Sequence, residues 1–224
     1  MNLPSWCYHC KSYINSHQRS PTSILCRDCH AALPLIDPGV CLKCGRTHDP
    51  LSCRIEWAKQ IRHFYSLFLY QDPVRQWIGS LKYSRNFISG RIFQQMVRDW
   101  FDQHSGELAS LDFIVPIPLH PLRLSQRGFN QAVYLLNRQK GLKVEGSALK
   151  KMRGTGQQAG KNRAQRKASL SGAFQATRSF KGKSVLIFDD VCTTGQTLYE
   201  AAKTLKNAGA SQIDALVICR SLTV

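Results

Sequence analysis

Apolar side chains follow two different rhythms along this chain, and the change falls near residue 57. Up to that point apolar periodicity is weak and turn formers are frequent, as expected where something other than a hydrophobic core holds the backbone. From His63 to Gln71, aromatic and aliphatic residues predict a strand, after which Val74, Trp77, Ile78 and Leu81 share one helix face. Phe93, Met96, Val97 and Trp100 repeat that spacing in a second helix. Leu111 to Leu119 predicts a strand running into a proline-studded loop, and Phe129 to Gly141 a helix with Phe129, Ala132, Val133 and Leu136 on one side. The unit recurs near the end: Val185 to Phe188 is a continuously apolar strand, and Leu198, Ala201, Ala202 and Leu205 mark the next helix. Gly209 stops that helix, and Ile213 to Cys219 supplies another strand. Such alternation predicts an α/β fold with a mainly parallel sheet and helices on both faces. Two domains are expected, a small one over residues 1–57 and the α/β domain over 58–224.

Charge sharpens this picture. Lys and Arg number 31 against 14 Asp and Glu, a formal +17, which points to an anionic partner. The excess is uneven. From Phe113 to Phe188 fifteen Lys and Arg accompany one acid, Glu145. Within that stretch, Lys150 to Lys183 holds ten basic residues, no acid and few large apolar side chains before Leu170, so part of it reads as a loop able to move.

Seven of the nine cysteines lie between residues 7 and 53, and six of them form Cys-x-x-Cys pairs, a spacing that favours metal over disulfides. Cys7, Cys10, Cys26 and Cys29 have the spacing of a ribbon-type four-cysteine zinc site, each pair presenting two sulfurs to a tetrahedral ion. Cys41, Cys44 and Cys53 offer three more ligands, with Glu56 where a fourth cysteine would fall. His48, Glu56 or water could complete that second shell, or it could be metal-free, and crossed sharing of the seven cysteines stays open. All-thiolate shells leave no position for water or substrate, so the metal is expected to be structural. The start of the chain has no basic segment followed by an apolar run, and no apolar span of 18 residues occurs. No membrane insertion is therefore expected, and a reducing cytoplasm suits the thiols.

The most informative segment is Val185-Leu186-Ile187-Phe188-Asp189-Asp190-Val191-Cys192-Thr193-Thr194-Gly195-Gln196-Thr197. A buried strand ends at two carboxylates, then a small polar turn opens a helix. At the carboxyl edge of a parallel sheet, Asp189 and Asp190 can accept hydrogen bonds from a ribose diol. The amides of the turn, the hydroxyls of Thr193, Thr194 and Thr197 and the helix N-terminus suit a phosphate monoester, with Gly195 allowing close backbone approach. Cys192 and Cys219 lack a nearby histidine and read as small packing residues. Gly154-x-Gly156-x-x-Ala159 mimics a dinucleotide fingerprint, but no apolar strand precedes it and no acid follows at the right distance. No Walker A sequence occurs either.

These residues resemble the ribose 5-phosphate motif of type I phosphoribosyltransferases. With Val115-Pro116-Ile117-Pro118-Leu119-His120-Pro121, Arg127-Gly128-Phe129-Asn130-Gln131-Ala132, Leu81-Lys82-Tyr83 and the N-terminal cysteines, the chain is similar to the ComF family of competence-associated proteins. Thr155, Gln158, Arg166 and Ala173-Phe174 also fall at that family's spacing, whereas Ser169 replaces a usual Asn and Glu56 the last cysteine. The resemblance implies a double zinc ribbon joined to a phosphoribosyltransferase fold. It implies pyrophosphate binding by Arg127, Gly128, Asn130 and Gln131, with Lys82 a candidate for the same anion. Asp189, Asp190 and Arg127 become the expected catalytic set, and Zn²⁺ and Mg²⁺ with phosphoribosyl pyrophosphate the expected cofactors. It further implies handling of imported single-stranded DNA alongside other competence proteins during natural transformation. The alternative is an active phosphoribosyltransferase acting on an unidentified base or amine with no direct DNA role.

Overall fold

The computed structural model of the chain describes residues 6–14, 24–37, 39, 41, 43, 53, 55, 59–137, 141, 143–152 and 172–222. The expectations placed on Cys44, His48, Glu56, Thr155, Gln158, Arg166 and Ser169 lie outside these residues.

A four-stranded parallel sheet forms the centre, in the spatial order β1 (Phe64–Leu69), β6 (Gln212–Arg220), β5 (Ser184–Cys192), β2 (Phe113–Pro116). Period-two alternation sends successive β5 side chains to opposite faces. Leu186 and Phe188 join one apolar cluster, Val185 and Ile187 the other. Both faces are covered, which is why β5 and β6 are apolar almost throughout.

On the first face lie α2 (Val74–Ser84), α3 (Phe87–Gln103) and α5 (Gln131–Leu136). The four residues predicted to share a face of α2 are all buried, as are the four predicted for α3. On the second face, α6 (Gln196–Asn207) buries Leu198, Ala201, Ala202 and Leu205 beside a small antiparallel pair, β3 (Leu149–Lys151) and β4 (Phe174–Ala176). This pair was not legible in the basic stretch, because three-residue strands are too short to show alternation.

The predicted Phe129–Gly141 helix is shorter at its start than its apolar spacing implied. Asn130 caps α5 by accepting from the Ala132 amide at 2.9 Å, so Phe129 falls before the first turn and Leu135, not Val133, is buried. The proline-studded loop also contains α4 (Pro121–Arg127), with Pro121 at its first turn, where a missing N–H costs nothing.

The N-terminal segment, including α1 (Arg27–Ala31), packs on α2. Cys7, Ile14, Leu25 and Leu33 belong to the same apolar cluster as Trp77, and Tyr8 and His9 set their rings 5.8 and 5.7 Å from it. Among the described residues no helix is long and apolar enough to cross a membrane.

Candidate functional site

Strand β5 continues past its apolar half through Asp189, Asp190 and Val191 to Cys192, so the turn proper is Thr193 to Gly195. The carboxylates therefore lie within the last strand residues, held by ladder pairing of Asp189 with Val217. Gly195 is the N-cap of α6 at φ +76°, a left-handed conformation that L residues with a Cβ adopt only under strain. The sharp reversal it permits starts α6 four residues after the end of β5, where the first helix amides have no intrahelical carbonyl to donate to.

Asp190 is buried at 5% exposure, and its Oδ2 stands 2.7 Å from Lys82 Nζ in an ion pair. Lys82 comes from the last turn of α2, and its side chain is only 17% exposed. Burial opposes its charge, but Asp190 and then Asp189 outweigh that effect and hold the ammonium above its ordinary value. Lys82, expected at the pyrophosphate, is thus paired to the acid expected at the ribose. Asp189 accepts from the Asp190 amide at 2.9 Å. Burial and the neighbouring Asp190 push its carboxyl up to about 8, against the opposing pull of Lys82 and Lys151.

The next residue of α2, Tyr83, receives the Arg127 guanidinium over its ring at 5.6 Å. Arg127 closes α4, which ends on Gly128 at φ +83°. Asn130 is spent inside the protein: its Nδ2 donates to the Ile117 carbonyl at 3.0 Å while its Oδ1 caps α5. It ties the end of β2 to the start of α5 and so shapes the loop carrying Arg127 and Gly128. Gln131 is buried, and its Oε1 has no hydrogen-bond partner among the described residues. Asp190, Asp189 and Arg127 all lie close enough to Lys82 to act on its charge.

Two participants escaped the sequence reading. Lys151 of β3 lies near Asp189; burial lowers its ammonium, and Asp189 partly restores it. Nothing distinguishes it in a run of ten basic residues. Arg220 ends β6 at 4% exposure, with Nη1 donating to Cys192 Sγ at 3.0 Å and Nη2 to the Lys43 carbonyl at 2.7 Å. A charge abutting a buried strand was the signal that identified Asp189, and it marks Arg220 equally. Cys192 is a buried thiol that burial pushes up to about 11, in keeping with a packing role.

A second constellation lies in the N-terminal segment. The sulfurs of Cys7, Cys10, Cys26 and Cys29 all lie within 4.8 Å of one another. Cys10 and Cys26 Sγ are 3.8 Å apart. That is far beyond a disulfide bond and equals the edge, about 3.8 Å, of a tetrahedron with metal–sulfur bonds of about 2.3 Å. Backbone amides support the sulfurs: Cys26 N–H donates to Cys7 Sγ and Cys29 N–H to Cys26 Sγ, at 3.3 and 3.4 Å. The donor set fits a thiolate-bound metal ion. Cys41 is buried and Cys53 half-buried.

Comparison with known proteins agrees with the fold. The phosphoribosyl transferase domain family matches residues 90–223. The DNA utilization protein YhgH of Escherichia coli K12 is 28% identical over 236 aligned positions, covering 99% of this chain and all of the relative. Competence protein ComFC of Streptococcus pneumoniae R6 is 26% identical over 207 positions, 90% of each chain. Competence protein F of Haemophilus influenzae Rd is 33% identical over 114 positions, covering 48% of this chain and 50% of that one. The ComF resemblance is borne out by these relatives, and the mainly parallel sheet with helices on both faces by the fold.

Proposed function

We propose, since the chain belongs to the phosphoribosyl transferase domain family, that it binds phosphoribosyl pyrophosphate and supports natural transformation by handling imported single-stranded DNA in the cytoplasm. The observation that carries the reading is the adjacency, at one sheet edge, of the Asp189–Asp190 pair and a glycine-capped helix N-terminus. In this reading Asp189 and Asp190 accept from the ribose hydroxyls, while the amides and hydroxyls from Val191 to Thr197 surround the 5-phosphate. Arg127, with Lys82 and Gly128, faces the pyrophosphate, on a loop whose shape Asn130 fixes and beside the buried Gln131. Mg²⁺ bound with the ligand supplies further charge neutralisation there. Asp190, joined by Asp189 once that carboxyl is ionised, also steadies positive charge that builds at the anomeric carbon if its bond to pyrophosphate opens.

The cysteine-rich segment holds Zn²⁺ at Cys7, Cys10, Cys26 and Cys29 as a structural ion, and a second ion uses Cys41, Cys44 and Cys53. Relatives named for DNA utilization and competence support the DNA role, as does the +17 charge, since phosphate backbones are bound largely through cations. A second reading, phosphoribosyl transfer to a base or amine, is favoured by the family itself.

The test is calorimetric titration with phosphoribosyl pyrophosphate and Mg²⁺, repeated on Asp189→Asn plus Asp190→Asn. Saturable binding in the parent and its loss in the double variant are expected; equal affinity in both would overturn the assignment. A salt series with a single-stranded oligonucleotide should show log affinity falling linearly with log salt. No affinity at low ionic strength removes the DNA role. Pyrophosphate release on adding bases or amines, with no oligonucleotide binding, favours the transferase.

A further inference from the structure

Arg220 stands where three parts of the protein meet. As the last residue of β6 it pairs in register with Cys192 of β5 on one side and Leu69 of β1 on the other. Its backbone is fixed: its carbonyl accepts from the Tyr70 amide at 2.8 Å, and the following Ser221 amide donates to the Cys192 carbonyl at 2.9 Å. Its guanidinium, 5.6 Å over the Phe64 ring, is removed from water, so its donors must be satisfied inside. Nη1 reaches Cys192 Sγ at 3.0 Å and the Thr193 carbonyl at 3.5 Å, which are the first atoms of the turn expected to hold phosphate. Nη2 points the other way and donates to the Lys43 carbonyl at 2.7 Å, within the cysteine-rich segment and two residues from the buried Cys41. One rigid fork therefore spans the turn and the N-terminal segment. Lysine, with a single point of donation on a flexible stem, cannot reproduce that span.

We infer that Arg220 is a positioning residue that couples the cysteine-rich segment to the phosphate turn, so that the order of one sets the affinity of the other. The inference rests on the proposed binding of a phosphoribosyl group at that turn. The Thr193 carbonyl shares its peptide plane with the Thr194 amide, one residue before Gly195, so a shift of that carbonyl rotates an amide offered to the ligand. When a 5-phosphate fixes the turn, Arg220 is fixed with it, and Lys43 gains a partner that no longer moves. Linkage requires the effect to run both ways: ligand quiets the segment, and loosening the segment or the fork weakens the ligand. Arg220 touches no reacting atom in this scheme.

The test uses the full chain and ribose 5-phosphate as probe. Hydrogen exchange of the peptide containing Cys41 and Lys43 is measured with and without saturating probe, and the dissociation constant is measured for the parent, Arg220→Lys and Arg220→Gln beside their unliganded Tm. Expected are slower exchange at Cys41 to Lys43 on binding and, in Arg220→Lys, affinity weakened on the order of tenfold with the exchange response abolished. A purely structural role would lower Tm and leave the exchange response of the folded fraction intact, which overturns the inference. Parental binding with unchanged exchange at Cys41 to Lys43 also overturns it, whether or not either variant folds. Absence of probe binding by the parent is a different outcome: it removes the phosphoribosyl reading, and the coupling with it.

Discussion

Lys82 Nζ lies 2.7 Å from Asp190 Oδ2, joining the last turn of the first covering helix to the end of the central strand. Its neighbour Tyr83 carries the Arg127 guanidinium over its ring. Two consecutive residues of α2 thus reach the acid pair on one side and the α4 loop on the other. The wall of the site is a helix end whose geometry is fixed by the buried row of Val74, Trp77, Ile78 and Leu81. In the proposed complex, a pyrophosphate that attracts Lys82 would compete with Asp190 for it, and releasing Asp190 would free an acceptor for a ribose hydroxyl.

Lys82→Met should leave Asp190 buried without its cation. Breaking a buried pair typically costs about 3–5 kcal/mol; with 17% of the lysine side chain still exposed, the lower end applies. About 2–4 °C of Tm per kcal/mol follows for a chain of this size. Asp190→Asn should cost a similar amount by stranding Lys82. Because the two residues share one interaction, Lys82→Met with Asp190→Asn should lose less than the sum of the singles. Additive Tm losses in thermal denaturation would show that the pair carries no coupling energy.

Asp189 should give the site its pH dependence. Its carboxyl is pushed up to about 8 by burial and by Asp190, so between about pH 4 and 8 the native state binds more protons than the unfolded chain. Stability contributed by this group is complete below the unfolded value, falls as pH rises through that window and is flat above it. Asp189→Asn removes the titration. The difference in Tm between variant and parent should therefore shift in the variant's favour from pH 5 to pH 9; a constant difference across that range would refute the placement of Asp189 in a desolvated site.

Much of this was written in the sequence because the informative signals are local. The apolar rows of α2, α3 and α6 came from 3.6-residue spacing, and the acid pair stands out because charge next to a continuous apolar run has few structural reasons to exist. What stayed hidden depends on distance through space. The Lys82–Asp190 pair spans more than a hundred residues, and Lys151 looks like any other cation in its run until β3 and β4 fold it toward Asp189. The motif around Asn130 points to an anion, yet its side chain caps α5 and holds the Ile117 carbonyl. Residue type and spacing specify that a position matters; they do not say whether it meets the ligand or builds the loop that does.

Metal content should separate the cysteines by location. Cys7→Ser, Cys10→Ser, Cys26→Ser and Cys29→Ser each break the cluster whose sulfurs lie within 4.8 Å, and each should lower bound metal by about one ion per chain and reduce Tm, since site formation is folding free energy. Cys219→Ser should leave metal content unchanged, as its thiol is buried in the sheet and points to the Asp190 carbonyl at 3.6 Å. Elemental analysis of the purified variants is the check. Unaltered stoichiometry in all four N-terminal variants would mean that the cluster holds no ion.

Gly128 offers a test in which two physical effects can be told apart. It follows Arg127 at φ +83°, and a Cβ there would sit 3.3 Å from Arg85 Nη2. Left-handed backbone costs an L residue about 1–2 kcal/mol, whereas a contact with the far end of an arginine relaxes by a small rotation. Gly128→Ala should therefore lower Tm by about 2–8 °C, and adding Arg85→Ala should recover almost none of it, because the strain is in the backbone. Asn tolerates left-handed backbone better than Ala, so Gly128→Asn should be the milder substitution despite its larger side chain. Full recovery of Tm on adding Arg85→Ala would place the cost in the guanidinium contact, and the loop carrying Arg127 would then owe its shape to Arg85 and not to the glycine.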